Sequence, residues 1–333
     1  MRIKVGIAGY GKMGKIRAHT IDNYPDMELT HVFDPNITEI DRREVVLVKS
    51  YKELLNADID AVFICAYAKQ AAEYTCAALN AGLHVFCEKP PAMQSEELNF
   101  VRSCLENSGK ILKYGFNHRH HYSVMEAKKL IESGKIGRIL FMRGIYGKAG
   151  SLDFEKNWRN YKDFSGGGIL MDQGIHMLDL FMYLTNDCFR CIGASVKTAH
   201  WDIEYEDNVM ALLENKDGVV ASLHSSATQW RHKFSLEILG STGYINLDGI
   251  LSSTMSYAPE KILVGKHSDE NTEISMGRPV ESTYTYEKDN SWNFELQEFI
   301  DAINGKSPIS NGSLADSVNL MRIIEEVYEK GRI

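Results

Sequence analysis

Lysine, aspartate and histidine stand in this chain at places where their neighbours restrict the backbone. In Cys87-Glu88-Lys89-Pro90-Pro91 the lysine follows an apolar run, Leu83 to Cys87, that reads as a strand. An X–Pro bond narrows the backbone before it and can be cis, so Lys89 is held in a restricted backbone at the carboxyl end of a strand, where an α/β sheet keeps its reactive groups. A surface turn with ordinary charges is the alternative. In Gly166-Gly167-Gly168-Ile169-Leu170-Met171-Asp172-Gln173-Gly174-Ile175-His176-Met177-Leu178-Asp179, the first aspartate and the histidine are four residues apart. On a helix from about Ile169 to Leu184 they share a face, with Asp179 close to the same line. A carboxylate beside an imidazole suits general acid–base work near neutral pH, and also arises where a local carboxylate only satisfies the ring. The three glycines let a ligand or another backbone approach closely.

The elements that must position these groups begin at Arg2. Ile3, Val5 and Ile7 alternate as a short buried strand should, and Gly9-Tyr10-Gly11-Lys12-Met13-Gly14 follows at once. Lys12 to Asp22 then reads as a helix and Leu29 to Phe33 as a second strand, with Asp34 at its end, twenty residues after Gly14. Gly9 permits the tight turn, Gly11 lets the backbone approach a pyrophosphate, and Gly14 lets helix and strand pack closely. The helix N-terminus offers N–H groups and partial positive charge to the phosphates. Asp34 can accept hydrogen bonds from the adenosine ribose and would repel a 2′-phosphate. The expected cofactor is therefore NAD, with NADP disfavoured.

Strand and helix keep alternating after Asp34. The strands are Val45 to Val48, Ala61 to Ala66, Leu83 to Cys87 and Ile111 to Gly115. Between them lie helices Tyr51 to Asn56, Gln70 to Ala81 (closed by Gly82) and Ser95 to Asn107 (capped by Ser95). This predicts an α/β domain over residues 1–120, a Rossmann doubly wound parallel sheet with its nucleotide across the carboxyl ends of the strands. Beyond it the pattern changes. Tyr122 to Ser133 reads as a helix and Arg138 to Gly144 as a strand, followed by a long loop. After the glycine-led helix, strand-like runs dominate: Gly193 to Thr198, Asn208 to Glu214, Val219 to Ser226, Phe234 to Leu239, Tyr244 to Leu247 and Lys261 to Val264. Consecutive strands predict a mostly antiparallel sheet in an α+β domain over 121–333. Helices Trp292 to Ile303 and Leu314 to Lys330 close the chain and could pack back on the first domain.

Composition removes several classes. At 333 residues, with 44% hydrophobic and 25% charged, the chain is long enough for two well-buried cores. A formal charge of −8 argues against nucleic acid or an anionic membrane as the main partner. No apolar run approaches the ~18 residues of a membrane span. Ile3 already belongs to a strand, so no signal peptide is expected and the cytoplasm is the default. Cys188-Phe189-Arg190-Cys191 has CxxC spacing but no second pair for zinc and no redox-motif context.

Tyr114-Gly115-Phe116-Asn117-His118-Arg119-His120-His121 invites a metal reading. Consecutive residues cannot all face one ion, and no carboxylate or cysteine sits at useful spacing, so no metal is expected. Asn117 and Arg119 read instead as nicotinamide or substrate contacts. Asn157-Trp158-Arg159-Asn160-Tyr161 offers an aromatic face and a cation, as does Trp230-Arg231-His232-Lys233. Rings stack on pyranose or uracil faces, and cations suit a carboxylate or diphosphate. Packing of Trp158 and Trp230 between domains is the alternative.

In the order and spacing of Gly9-x-Gly11-x-x-Gly14, Asp34, Glu88-Lys89-Pro90, Gly115-Phe116-Asn117-x-Arg119, Ile136-Gly137, Gly166-Gly167-Gly168 and Asp172-x-Gly174-x-His176-x-x-Asp179, the chain resembles the glucose–fructose oxidoreductase and inositol dehydrogenase (Gfo/Idh/MocA) family over nearly its full length. The resemblance implies that the second domain holds an open sheet used for homodimers or homotetramers. It implies Lys89, Asp172 and His176 as the catalytic set, and a small-molecule sugar or cyclitol as substrate. With the motifs, it places the cofactor against Gly9, Tyr10, Gly11, Lys12, Met13, Gly14, Asp34, Ala66, Tyr67, Glu88, Lys89 and Asn117. Substrate contacts are then Lys89, Arg119, Trp158, Arg159, Asp172 and His176. Ala66-Tyr67-Ala68-Lys69-Gln70 departs from the family, which usually has a small residue, Pro-Asn and a downstream His there. A redox-neutral, NAD-retaining lyase or glycosidase and a non-catalytic NAD-binding regulator are the other readings.

Overall fold

The computed structural model describes residues 2–150, 153–266 and 280–331. The chain divides into two compact units. The first takes Met1–Asn117, Asp163–Gly166 and Trp292–Met321; the second takes His118–Lys162, Gly167–Ser291 and Arg322–Ile333. The division is therefore not a single cut near residue 120.

In the first unit, β1 (Ile3–Ala8), β2 (Met27–Phe33), β3 (Val46–Val48), β4 (Ala61–Ile64), β5 (His84–Glu88) and β6 (Leu112–Gly115) form one sheet in the order β3-β2-β1-β4-β5-β6. Each neighbouring pair in this sheet is parallel. Helices α1 (Lys12–Asp22), α2 (Tyr51–Leu55), α3 (Ala68–Asn80) and α4 (Glu97–Ser108) connect the strands. β4 is buried at all its positions, as a strand covered on both faces must be. A late segment supplies part of that cover. Helix α7 (Ser291–Ile303) places Leu296, Phe299 and Ile300 in the core with Val5, Ile7 and Phe63. Phe299 meets Phe63 and Phe86 edge-on, with centroids 5.8 and 5.6 Å apart. The α4 cap departs from expectation: the helix starts at Glu97, whose Oε1 accepts the N–H groups of Met93 and Gln94.

In the second unit, β7 (Ile139–Gly147), β8 (Phe189–Lys197), β9 (Asn208–Asn215), β10 (Val220–Ser226), β11 (Lys233–Gly240), β12 (Gly243–Asp248), β13 (Glu260–Lys266) and β14 (Glu281–Tyr286) form a second sheet in the order β14-β13-β12-β11-β7-β10-β9-β8. The pair β7–β10 is parallel and the others are antiparallel. Helices α5 (Tyr122–Glu132) and α6 (Ile175–Thr185) pack on it. Gly144 lets α6 come close, because a Cβ there would meet Met177 and Phe181. β7 runs past the expected Gly144 to Gly147, which brings Tyr146 onto the sheet. The edge strand β14 is not foreseen, since its exposed Ser, Thr and Tyr positions carry no apolar alternation. α8 (Leu314–Gly331) ends the described chain. Among the described residues no helix is long and apolar enough to cross a membrane.

Candidate functional site

The glycine turn closes as its sequence requires. Gly9 has φ +93°, and a Cβ there would lie 2.6 Å from the Cys65 carbonyl oxygen; a Cβ on Gly14 would collide with the Gly9 carbonyl. Gly11 differs: a Cβ on it would meet nothing within 4 Å, so the backbone at this position faces open space. It is also the N-cap of α1 and gives that terminus no side-chain bond. The N–H groups at Lys12, Met13 and Gly14 therefore end in a helix dipole with no side-chain acceptor at the cap. Asp34 accepts from the Tyr10 N–H at 2.6 Å through one oxygen and from the Asn36 N–H at 2.8 Å through the other. It thus braces the turn from the end of β2. These residues fit a dinucleotide: a bare glycine backbone, a helix N-terminus and a carboxylate at the second strand.

Glu88, expected against the cofactor, is buried, and its carboxylate accepts from Arg17 Nε at 2.6 Å. Arg17, fully buried on α1, also reaches Glu295 of α7 at 2.6 Å and lies over the rings of Phe86 and Trp292 at 4.2 and 4.6 Å. Burial alone would lower the guanidinium's pKa, but Glu88 and then Glu295 raise it overall. Glu88 thus ties the strand end to α1. Lys89 follows on a cis peptide to Pro90. Tyr67 stands as the N-cap of α3 and packs on Phe164, 5.0 Å between centroids, while Asn117 is buried at the start of a 3-10 turn, Asn117–His120.

The acid–base segment lies within the second unit. Its helix is not α-helical from the start: Leu170–Gly174 is a π turn, closed by the Ile175 N–H on the Leu170 carbonyl, and α6 begins after it. Such turns shift side chains off the regular face. Asp172, inside the π turn, pairs with Lys148 Nζ and with Arg159 Nε at 3.1 Å. His176, the second residue of α6 and only 5% exposed, stacks on His118 with centroids 3.8 Å apart and planes 18° apart. His118 Nε2 in turn meets the Tyr146 hydroxyl at 2.9 Å. Burial, then Tyr257 and Asp172, raise the Tyr146 pKa well above its ordinary value, so the phenol keeps its proton. Two of the three glycines admit protein: a Cβ on Gly167 would strike the Tyr328 hydroxyl, and one on Gly168 the Glu206 carbonyl. Glu206 accepts from the N–H groups of Gly168 and Leu170, holding the helix entry.

Arg119, expected as a nicotinamide or substrate contact, is buried; its guanidinium grips Asp179 through Nε and Nη2 at 2.6–3.1 Å and lies 5.1 Å over Tyr183. The pair ties the 3-10 turn to α6. His121 pairs with Glu260 at 2.8 Å. Among the described residues no group of three or more His, Cys, Asp or Glu could hold a metal. Trp158 lies under the Arg159 guanidinium, 4.3 Å from ring to carbon. Lys148, Tyr146 and Glu206 join the site's surroundings without a local sequence signal, and His118 comes from the histidine cluster after β6. The first two lie just beyond the point where apolar alternation in β7 fades.

Residues 3–116 match the family model described as an oxidoreductase family with an NAD-binding Rossmann fold, and residues 124–246 match the GFO/IDH/MocA C-terminal domain. The chain belongs to the Gfo/Idh/MocA family of oxidoreductases, and its first unit is an NAD-binding domain. It is 28% identical over 250 residues to D-glucoside 3-dehydrogenase of Escherichia coli (strain K12), covering 67% of this chain and 70% of that protein. It is 26% identical over 259 residues to inositol 2-dehydrogenase of Klebsiella pneumoniae (strain 342), covering 74% of each. Its fold is that of a levoglucosan dehydrogenase solved in complex with NADH, at TM-score 0.86 and 24% identity, covering 99% of this chain and 97% of that one. The family thus includes enzymes acting on sugars and cyclitols.

Proposed function

We propose that this chain catalyses reversible NAD-dependent oxidation of a secondary hydroxyl, or reduction of the matching ketone, on a sugar, nucleotide-linked sugar or cyclitol. Gly9 to Gly14 hold the pyrophosphate, Asp34 holds the adenosine ribose, and Ala66, Tyr67, Lys89 and Asn117 serve the nicotinamide end. NAD supplies the acceptor for the electron pair leaving the alcohol carbon. His176 takes the hydroxyl proton and returns it in the reverse direction. Lys89 stabilises alkoxide charge as it develops. Asp172 orients the hydroxyl, and Trp158 with Arg159 borders the sugar.

The supporting observation is the setting of Asp172. Two cations, Lys148 and Arg159, hold its carboxylate in the turn that leads directly into His176. A carboxylate so fixed can position a hydroxyl, whereas a carboxylate that merely satisfied His176 would not need two cations. The test is a panel of inositols, free hexoses and nucleotide sugars followed at the NADH absorbance. His176→Ala should lower turnover by roughly 10²–10⁴-fold while NAD affinity holds. Turnover like the wild type in that variant would remove His176 from the role, and product without net NADH would favour a redox-neutral enzyme.

We also propose that the outer face of the second sheet joins copies of the chain into a homodimer or homotetramer. Phe141, Ile192, Met210 and Leu212 are exposed apolar groups there. Met210→Arg should dissociate the assembly, read by light scattering.

A further inference from the structure

We infer that Phe154, Trp201, His200 and Trp230 form a platform for a second ring of the substrate, so that the chain prefers two-ring glycosides to single sugars. This deepens the sugar-dehydrogenase reading and rests on it. The four rings run in contact within the second unit. Phe154 and Trp201 have centroids 5.0 Å apart, Trp201 and Trp230 lie at 5.9 Å, and His200 stands edge-on to both indoles at 5.0 and 4.9 Å. Exposure rises along the run, from 8% at Phe154 to 59% at Trp230. The inner end borders the Asp172 group, because Phe154 lines the same small cleft, about 10 Å³ of free space, as Lys148, Asn157, Arg159 and Asp172. The outer end is tied to it by backbone: the Gln229 N–H donates to the Lys148 carbonyl at 3.1 Å.

The run is held in place from below. Buried Asp207 accepts the N–H groups of Ala199, His200 and Trp201. The Trp201 indole N–H donates to the Ala227 carbonyl at 3.0 Å, and Gly150 makes room for the ring, since a Cβ there would lie 2.5 Å from it. Trp230 sits at φ +57°, in the left-handed region that bulky residues avoid. A costly backbone conformation that turns a tryptophan toward water is the kind of outlier that accompanies binding sites. An indole face suits the C–H face of a pyranose, and the His200 ring nitrogens suit its hydroxyls. The cleft's two cations already face Asp172, which favours an uncharged second ring over a diphosphate-linked one.

Affinity for methyl β-glucoside, methyl β-galactoside, cellobiose, lactose and UDP-glucose, measured by saturation-transfer NMR with NADH present, tests the platform without needing turnover. The wild type should bind a disaccharide about tenfold tighter than its methyl glycoside, and Trp230→Ala should erase that ratio. Trp230→Phe should keep most of it. An unchanged ratio in Trp230→Ala, no ratio in the wild type, or preference for UDP-glucose over the disaccharides overturns the platform. Disaccharide preference with no NADH formed on adding NAD would overturn the dehydrogenase reading and leave the platform standing.

Discussion

The imidazoles of His118 and His176 lie face to face, 3.8 Å between centroids, with His118 fastened to the Tyr146 hydroxyl. One side of the proposed acid–base ring is therefore set by another ring, itself anchored in β7. His118→Ala should lower kcat by about tenfold or more while leaving NAD affinity alone, since small misplacement of a reacting group is costly. His118→Phe keeps the stacked face and loses the Tyr146 bond, so it should recover much of the loss. Steady-state kinetics beside an NAD titration separate the two contributions.

Asp34→Ala should act twice. It removes the ribose acceptor and the brace on the Tyr10 N–H. Calorimetric titration should show weaker NAD binding and a narrower preference over NADP. A cofactor preference that did not move would remove Asp34 from the ribose.

Arg17→Met should destabilise the first unit by about 3–5 kcal/mol, because it leaves Glu88 and Glu295 buried without their cation. Urea denaturation of the triple variant that also carries Glu88→Gln and Glu295→Gln should recover much of that loss.

Acid should loosen the tie between β6 and the C-terminal part of the first unit. Burial works against the Glu298 charge, but Lys113, at 2.7 Å, and the Ser310 bonds hold its pKa down to about 2, against an ordinary 4.5. A lowered folded pKa contributes stability above 4.5 that is lost as pH falls from there toward about 2. The gap in melting temperature between wild type and Glu298→Gln should therefore close across that window.

Local patterns carried most of the fold. Alternation from Ile3 to Ile7, the glycine turn and the apolar β4 were readable because each is dictated by neighbours in sequence. What escaped depends on distant partners. The bond from Arg17 to Glu88, the one from Arg17 to Glu295 and the pairing of Arg119 with Asp179 join residues far apart in the chain. None of these pairings has a sequence spacing that repeats. The π turn escaped for a different reason: Leu170 to Gly174 carries good helix-forming spacing, and the Ile175-to-Leu170 bond distinguishes it from an α-helix. Lys148 is not legible because the strand signal fades near Gly144, three residues before β7 ends.

Arg17 belongs to the helix offered to the phosphates, and Glu88 is the residue before Lys89. The proposed grip on the cofactor and the placing of the lysine are thus one mechanical part, clamped by a residue more than two hundred positions downstream. Anyone transplanting the Glu-Lys-Pro segment into another nucleotide-binding scaffold would have to carry the arginine and a third acidic partner with it, or accept a lysine that wanders.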